Sequence, residues 1–287
     1  MRATKTLLAG LALALTLGAA PALASSRAEH PREPVGGFSF EGPFGKFDQA
    51  QLQRGYKVYK EVCSSCHSMK LMSFRDLGMK GGPFWYEGPR FANPNENPYV
   101  KAIAAEFEVD DIDSETGDTV KRKATPADRF PSPYANAAAA AAGNGGAVPP
   151  DLSVMAKARH GGARYIYSLL TGYRNAPAGL RILPTQHFNP WFNGDLAAYW
   201  SGDHHKVPEG GFIAMPPPLT SEGQVTYDDG TKATVDQMAQ DVAAFIAWAS
   251  EPKATERKSL GVSVMLYLLL FAGLTFLSYR RIWKDAH

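Results

Sequence analysis

Two cysteines occur in the 287 residues, and they stand together with a histidine as Cys63-Ser-Ser-Cys66-His67. Thiols three positions apart can close a disulfide, exchange electrons as a dithiol pair, or add to the two vinyl edges of one haem. The histidine directly after Cys66 favours the last chemistry, because its imidazole can rise beneath an iron held by two thioethers. A dithiol pair has no use for that histidine, and a zinc site would call for a second cysteine pair that the chain lacks.

An electron carrier keeps both axial positions of its iron filled, and a thioether in the second position raises the potential by favouring Fe(II). The methionines beyond residue 25 are Met69, Met72, Met79, Met155, Met215, Met238 and Met265. Met69 and Met72 follow His67 too closely to cross the ring plane. Met265 lies in a long apolar segment, and Met238 fits the stripe of a helix. Any methionine is also ordinary core filler. Met215 differs in its setting, Phe212-Ile-Ala-Met215-Pro-Pro-Pro-Leu219, where three prolines stiffen the backbone beside the sulfur. Haem propionates need donors and cations, for which Asn144, Arg159, Arg164 and Tyr165 are the candidates nearest in the chain.

These residues have to be positioned by a few short elements. A helical rhythm of Leu52, Tyr56 and Tyr59 leads into the cysteines. A short helix is expected over 100–107, a turn at Glu115-Thr-Gly-Asp118 joining two short strands, and a helix over Ala137 to Ala142 by propensity. Asp151 or Ser153 is expected to cap a helix reaching Arg159, and a further helix runs from Ala163 to Leu170, stopped by Gly172. The stretch from Pro177 to Pro218 has no period and reads as one long loop, which requires something to wrap; a planar cofactor would serve. Thr234 opens the last helix before the apolar tail, with Met238, Val242, Phe245, Ile246 and Ala249 on one side. No internal repeat is present.

The two ends carry membrane signals. Arg2 and Lys5, an apolar run from Leu7 to Leu17 and the closing Ala22-Leu23-Ala24 form an export leader over 1–24, too short to span a bilayer. At the other end, residues 260–279 carry no charge, and twenty residues at 1.5 Å each cover about 30 Å of hydrocarbon. Trp283 with Arg280, Arg281 and Lys284 fits a cytoplasmic end, although Lys253, Arg257 and Lys258 on the other side oppose the charge rule. The domain organisation is therefore leader 1–24, extracytoplasmic domain 25–252, linker 253–259, span 260–279 and tail 280–287. With 45% hydrophobic and 20% charged residues the domain can bury a proper core. Loss of the leader's two cations takes the formal charge of +2 to about zero, which excludes a nucleic-acid binder. Within it Glu106, Glu108, Asp110, Asp111, Asp113, Glu115 and Asp118 form a run without a Lys or Arg, either a solvated face or a docking patch.

In order along the chain stand Arg54-Gly-Tyr-Lys-Val-Tyr59, the cysteine motif, Ser73-Phe-Arg-Asp-Leu77, Val148-Pro-Pro-Asp-Leu-Ser153 and Ala158-Arg-His-Gly-Gly162. Ser168-Leu-Leu-Thr-Gly-Tyr173, Phe188-Asn-Pro-Trp-Phe192, Ile213-Ala-Met-Pro-Pro-Pro-Leu219 and Trp248-Ala-Ser-Glu-Pro252 follow. In this order the motifs resemble the cytochrome c1 family, the haem subunits of the cytochrome bc1 complex. The resemblance implies a mostly α, class I cytochrome c-like haem domain with long loop insertions and one C-terminal transmembrane helix. It implies one covalent haem c on Cys63 and Cys66 with His67 and Met215 as iron ligands, Arg159 and Tyr165 near the propionates, and Asn144 and Pro150 as further haem neighbours. The implied partners are cytochrome b and the Rieske iron-sulfur protein in a dimeric membrane complex, with a cytochrome c as acceptor. The chain would move one electron between the last two and would have no bond-making active site of its own. The bacterial-type leader places it in a bacterial inner membrane, haem domain in the periplasm and C-terminus in the cytoplasm. Two departures stand out: the stretch 195–211 is longer than the common mitochondrial pattern, and the extra disulfide of some bacterial members cannot form here. A stand-alone tethered cytochrome would share motif and anchor but seldom needs so many insertions, and a thiol-exchange protein would leave Met215 and its prolines without purpose.

Overall fold

The computed structural model describes residues 28–86 and 93–284, so the leader lies outside the described residues. The chain is mostly helical. Helix α1 (Gln49–Val58) starts where the Asp48 carboxylate accepts the Gln51 amide at 2.7 Å. It crosses α6 (Val235–Ser250), which opens on Thr234 as its N-cap and buries Met238, Val242, Phe245, Ile246 and Ala249 as the periodicity predicts. Gly55 makes that crossing: a Cβ there would fall 2.1 Å from the Asp241 carbonyl oxygen and 2.7 Å from the Phe245 Cβ. Leu52, Tyr56 and Tyr59 meet Phe245 and Trp248 in one core, where each fully buried aromatic contributes about 2–3 kcal/mol. Beside the crossing, the fully buried Asp241 carboxylate is paired with Arg54 at 2.9 Å and accepts from Gln237, also at 2.9 Å.

Between these helices lie α2 (Pro98–Ala105), α3 (Ala137–Gly143), α4 (Met155–Ala158) and α5 (Gly162–Leu170). Strands β1 (Glu108–Ile112) and β2 (Thr119–Lys123) pair antiparallel across the expected turn. Their register sets Glu108 opposite Lys123 and Asp110 opposite Lys121, with salt bridges across both, while Arg122 holds Asp111 and Asp128. Glu108, Asp110 and Asp111 of the acidic run therefore form one side of a charge zipper, and Glu106 pairs with Lys60.

The stretch 177–218 is more ordered than a period-free sequence suggests. Strands β3 (His187–Asn189) and β4 (Gly211–Ile213) pair antiparallel, and Leu180, Phe188 and Leu196 form a small second core with Tyr199, Trp200 and Phe212 beside it. Three-residue strands are too short to show a period of two. The loop thus wraps apolar side chains of its own.

Helix α7 (Ala254–Ile282) is continuous, and its apolar window is not buried against the rest of the chain. Residues 254–259, expected as a linker, form its first turns. It is a single-pass membrane anchor by length and composition. The cations at its foot are engaged by the domain: Arg257 and Lys157 pair with Glu251, and Lys258 donates to the Phe40 carbonyl. That use accounts for Arg257 and Lys258.

Candidate functional site

After α1 the chain widens into one π-helical turn, Tyr59–Cys63, a distortion that recurs at functional sites. The Cys66 and His67 amides both donate back to the Cys63 carbonyl, at 3.2 and 2.9 Å, so the five motif residues fold over the helix end. Both thiols are free. Burial, and then the neighbouring Cys66, push the Cys63 thiol up to about 12. A thiol-exchange cysteine needs the opposite, a lowered pKa of the kind a helix N-terminus supplies, whereas Cys63 closes a helical segment. The dithiol-exchange chemistry is therefore disfavoured by the site itself.

The His67 Nδ1 lies 2.8 Å from the Pro150 carbonyl oxygen. A carbonyl only accepts, so Nδ1 carries the hydrogen and Nε2 keeps its lone pair. Burial lowers the pKa of the ring, more than the Pro150 carbonyl and Asp151 raise it, which keeps the imidazole neutral. The segment 150–153 is stitched to 67–71 at further points. Asp151 Oδ2 accepts from the Ser68 hydroxyl and the Lys70 amide, each at 2.8 Å, and Ser153 Oγ accepts from the Leu71 amide at 3.0 Å. Asp151 and Ser153 were expected to cap α4, but that helix has no side-chain cap and begins after Val154. Their acceptors serve the turn that carries His67 instead. Along this strap Val148 and Val154, and Leu71 across from them, present exposed apolar surface.

The other candidate ligand lies on the stretch that follows α5. Met215 is half-buried, two residues beyond β4, and its carbonyl accepts from the Tyr173 hydroxyl at 3.0 Å. Gly172 packs against Trp191 so closely that a Cβ would meet the indole at 2.3 Å. The guanidinium groups of Arg32 and Arg174 lie over that ring at 4.4 and 5.0 Å, and its Nε1 donates to the His30 carbonyl. The Asn189 amide holds the loop to α5 by donating to the Leu169 carbonyl at 2.8 Å.

The candidate propionate residues separate. Arg159 donates to the Ala158 carbonyl at 3.1 Å and lies beside Tyr165, whose phenol is raised by burial and lowered in lesser part by that arginine, and Tyr165 in turn lies near Tyr173. Arg164 is committed elsewhere, to Glu41 and Glu33. Asn144 ends α3 and spends its amide on the Tyr134 hydroxyl and the Ala140 carbonyl, at 3.0 and 2.7 Å. Sequence reasoning missed Tyr173 and Trp191, whose partners lie 42 and 161 residues away, and no local pattern reports such contacts.

Comparison with known proteins decides the kind of site. The family model for the cytochrome C1 family matches residues 38–286. The chain belongs to the cytochrome c1 family. It is 42% identical to cytochrome c1 of Rhodospirillum rubrum over 96% of this chain and 95% of that protein. It is 41% identical to the mitochondrial cytochrome c1-2 heme protein of Solanum tuberosum, over 93% of this chain and 91% of the relative. With the cytochrome b/c1 of Bradyrhizobium diazoefficiens it shares 38% identity over 97% of its own length but spans only 40% of that longer protein. It is accordingly an electron-transfer subunit of the cytochrome c1 type, and family identity implies a covalent haem c. Two free thiols, a neutral imidazole with its Nε2 lone pair available and an apolar strap beside it fit that group.

Proposed function

We propose that this chain carries one electron at a time from a Rieske iron-sulfur protein to a cytochrome c, within a complex that also contains cytochrome b and is dimeric. The haem supplies a one-electron iron couple when bound. Cys63 and Cys66 would hold it by thioether bonds, His67 and Met215 would be its axial ligands, and Arg159 and Tyr165 would receive the propionates. Pro150 acts through its carbonyl by fixing the His67 ring, and Asn144 shapes the end of α3 that precedes the strap. The chain's residues do no proton or bond chemistry; they exclude water, fix ligand geometry and set the potential. The leader at 1–24 supports a bacterial inner membrane, with domain 25–252 in the periplasm, span 260–279 and tail 280–287 in the cytoplasm.

The observation that carries this reading is the His67 Nδ1 hydrogen bond to Pro150, which leaves the second ring nitrogen as a ligand beside two unpaired thiols. Potentiometry and spectroscopy of Met215→Leu test it. Haem should stay attached, the near-infrared sulfur-to-iron band should vanish, and the potential should fall by on the order of 0.1 V, within the roughly 0.8 V that ligation and environment span. If Met215 only fills the core, leucine costs under about 1.5 kcal/mol and leaves band and potential unchanged.

A further inference from the structure

Tyr173 stands where three parts of the far loop meet. It follows the end of α5 by three residues, its ring lies edge-on to His187 of β3 with centroids 6.4 Å apart, and its hydroxyl donates to Met215. Burial, with the Tyr165 phenol as a second cause, raises its pKa, so it is a neutral donor at any physiological pH.

Met215 needs an outside hold. Its side chain is unbranched with three rotatable bonds, and the three prolines after it have no N–H with which to bond the chain to a neighbour. The fixed points on either side are Ile213, paired with His187, and the Pro218 carbonyl, which accepts from Gln224 at 2.8 Å. Between them, among the described residues, the Tyr173 hydroxyl makes the one hydrogen bond that reaches Met215 itself.

We propose that Tyr173 is the positioning residue of the distal ligand: its hydroxyl, bonded to the Met215 carbonyl, holds the thioether on the iron. This rests on the reading of Met215 as that ligand. Gly172 against Trp191 and Arg174 over the same indole fix the backbone on either side of Tyr173, so the hold is transmitted from a rigid part of the loop. Tyr173 touches neither sulfur nor haem on this account. It acts through the main chain.

The test uses the full-length haem-bearing protein with Tyr173→Phe beside Met215→Leu. Loss of one hydrogen bond favouring the ligated state corresponds to a factor of about five in an equilibrium. Ferrous Tyr173→Phe should therefore bind carbon monoxide about fivefold more tightly than the parent, and the ferric protein should show a weaker sulfur-to-iron band, with a lower potential and an unchanged amount of covalent haem. Replacing Tyr173 with 4-aminophenylalanine, which keeps a donor at the same ring position, should restore all three. If Met215→Leu retains the sulfur-to-iron band, the ligand reading itself fails. If Met215→Leu loses the band while Tyr173→Phe matches the parent in carbon monoxide affinity and potential, the ligand reading stands and the positioning role is overturned. Should Tyr173→Phe not accumulate with haem, 4-methylphenylalanine fills the hydroxyl's volume without donating. The same difference must then appear between the 4-methyl and 4-amino variants, and its absence overturns the proposal.

Discussion

The two sides of the site are held in different ways. The turn that carries His67 grows out of α1 and is tied to the strap 150–153 by five hydrogen bonds, to which the proposed reading adds the thioether bonds. The Met215 side is a loop with two three-residue strands, a packed indole and a single phenol contact on Met215. One side is redundant and the other is not. Substitutions near His67 should therefore act on assembly or on stability, while those around Met215 should act on ligation and potential before they act on the fold.

The largest break is expected from Cys66→Ala. On the proposed attachment this change removes one of two thioethers, and if folding is coupled to the bound group, holoprotein in membranes should fall more than about tenfold. Haem staining against an antibody signal measures it, and abundant folded protein without haem would contradict the coupling. A middle effect is expected from Gly172→Ala on the opposite side. The added Cβ has to displace Trp191 or the Ser168 carbonyl, which would sit 2.4 Å away, an overpacking cost of about 1–3 kcal/mol. Haem content should be normal and the sulfur-to-iron band weakened; a normal band with lowered haem content would reverse the contrast between the sides.

The smallest effect is expected from Asp151→Asn. Burial pushes this carboxyl up, but the hydrogen bonds from Ser153, Lys70 and Ser68 together outweigh it and its pKa is lowered. A folded-state pKa below the unfolded one means the carboxylate's contribution is complete above the ordinary aspartate value of about 3.9 and is lost as pH falls through the folded value. The variant should lose about 1 kcal/mol at neutral pH, less below pH 4, and leave potential and haem content unchanged. Denaturant titrations at pH 7 and pH 3.5 check this, and an equal loss at both would remove the charge from the explanation.

What was legible in the sequence follows the same division. Cys63 to His67 could be singled out because their spacing is local, and α6 because five buried residues repeat at helical spacing after a capping Thr234. Asp151 and Ser153 were misread as caps for a physical reason: the side chains that cap helices are short acceptors, and a strap 83 residues from its partner uses the same atoms. The charge zipper could have been found, since Lys121, Arg122 and Lys123 follow the acidic run directly and a hairpin register pairs them. The strands around Met215 could not, because three residues make no period, nor could the reach of Tyr173 across 42 residues.

The unbroken course of α7 has a mechanical consequence. Twenty-nine helical residues extend about 43 Å, against roughly 30 Å of hydrocarbon, and the first turns are clamped to the domain through Arg257 and Lys258. A helix without a break behaves as a stiff post, so the span itself does not serve as a flexible tether. A glycine or proline kink introduced near Ser259 would turn that post into a jointed one.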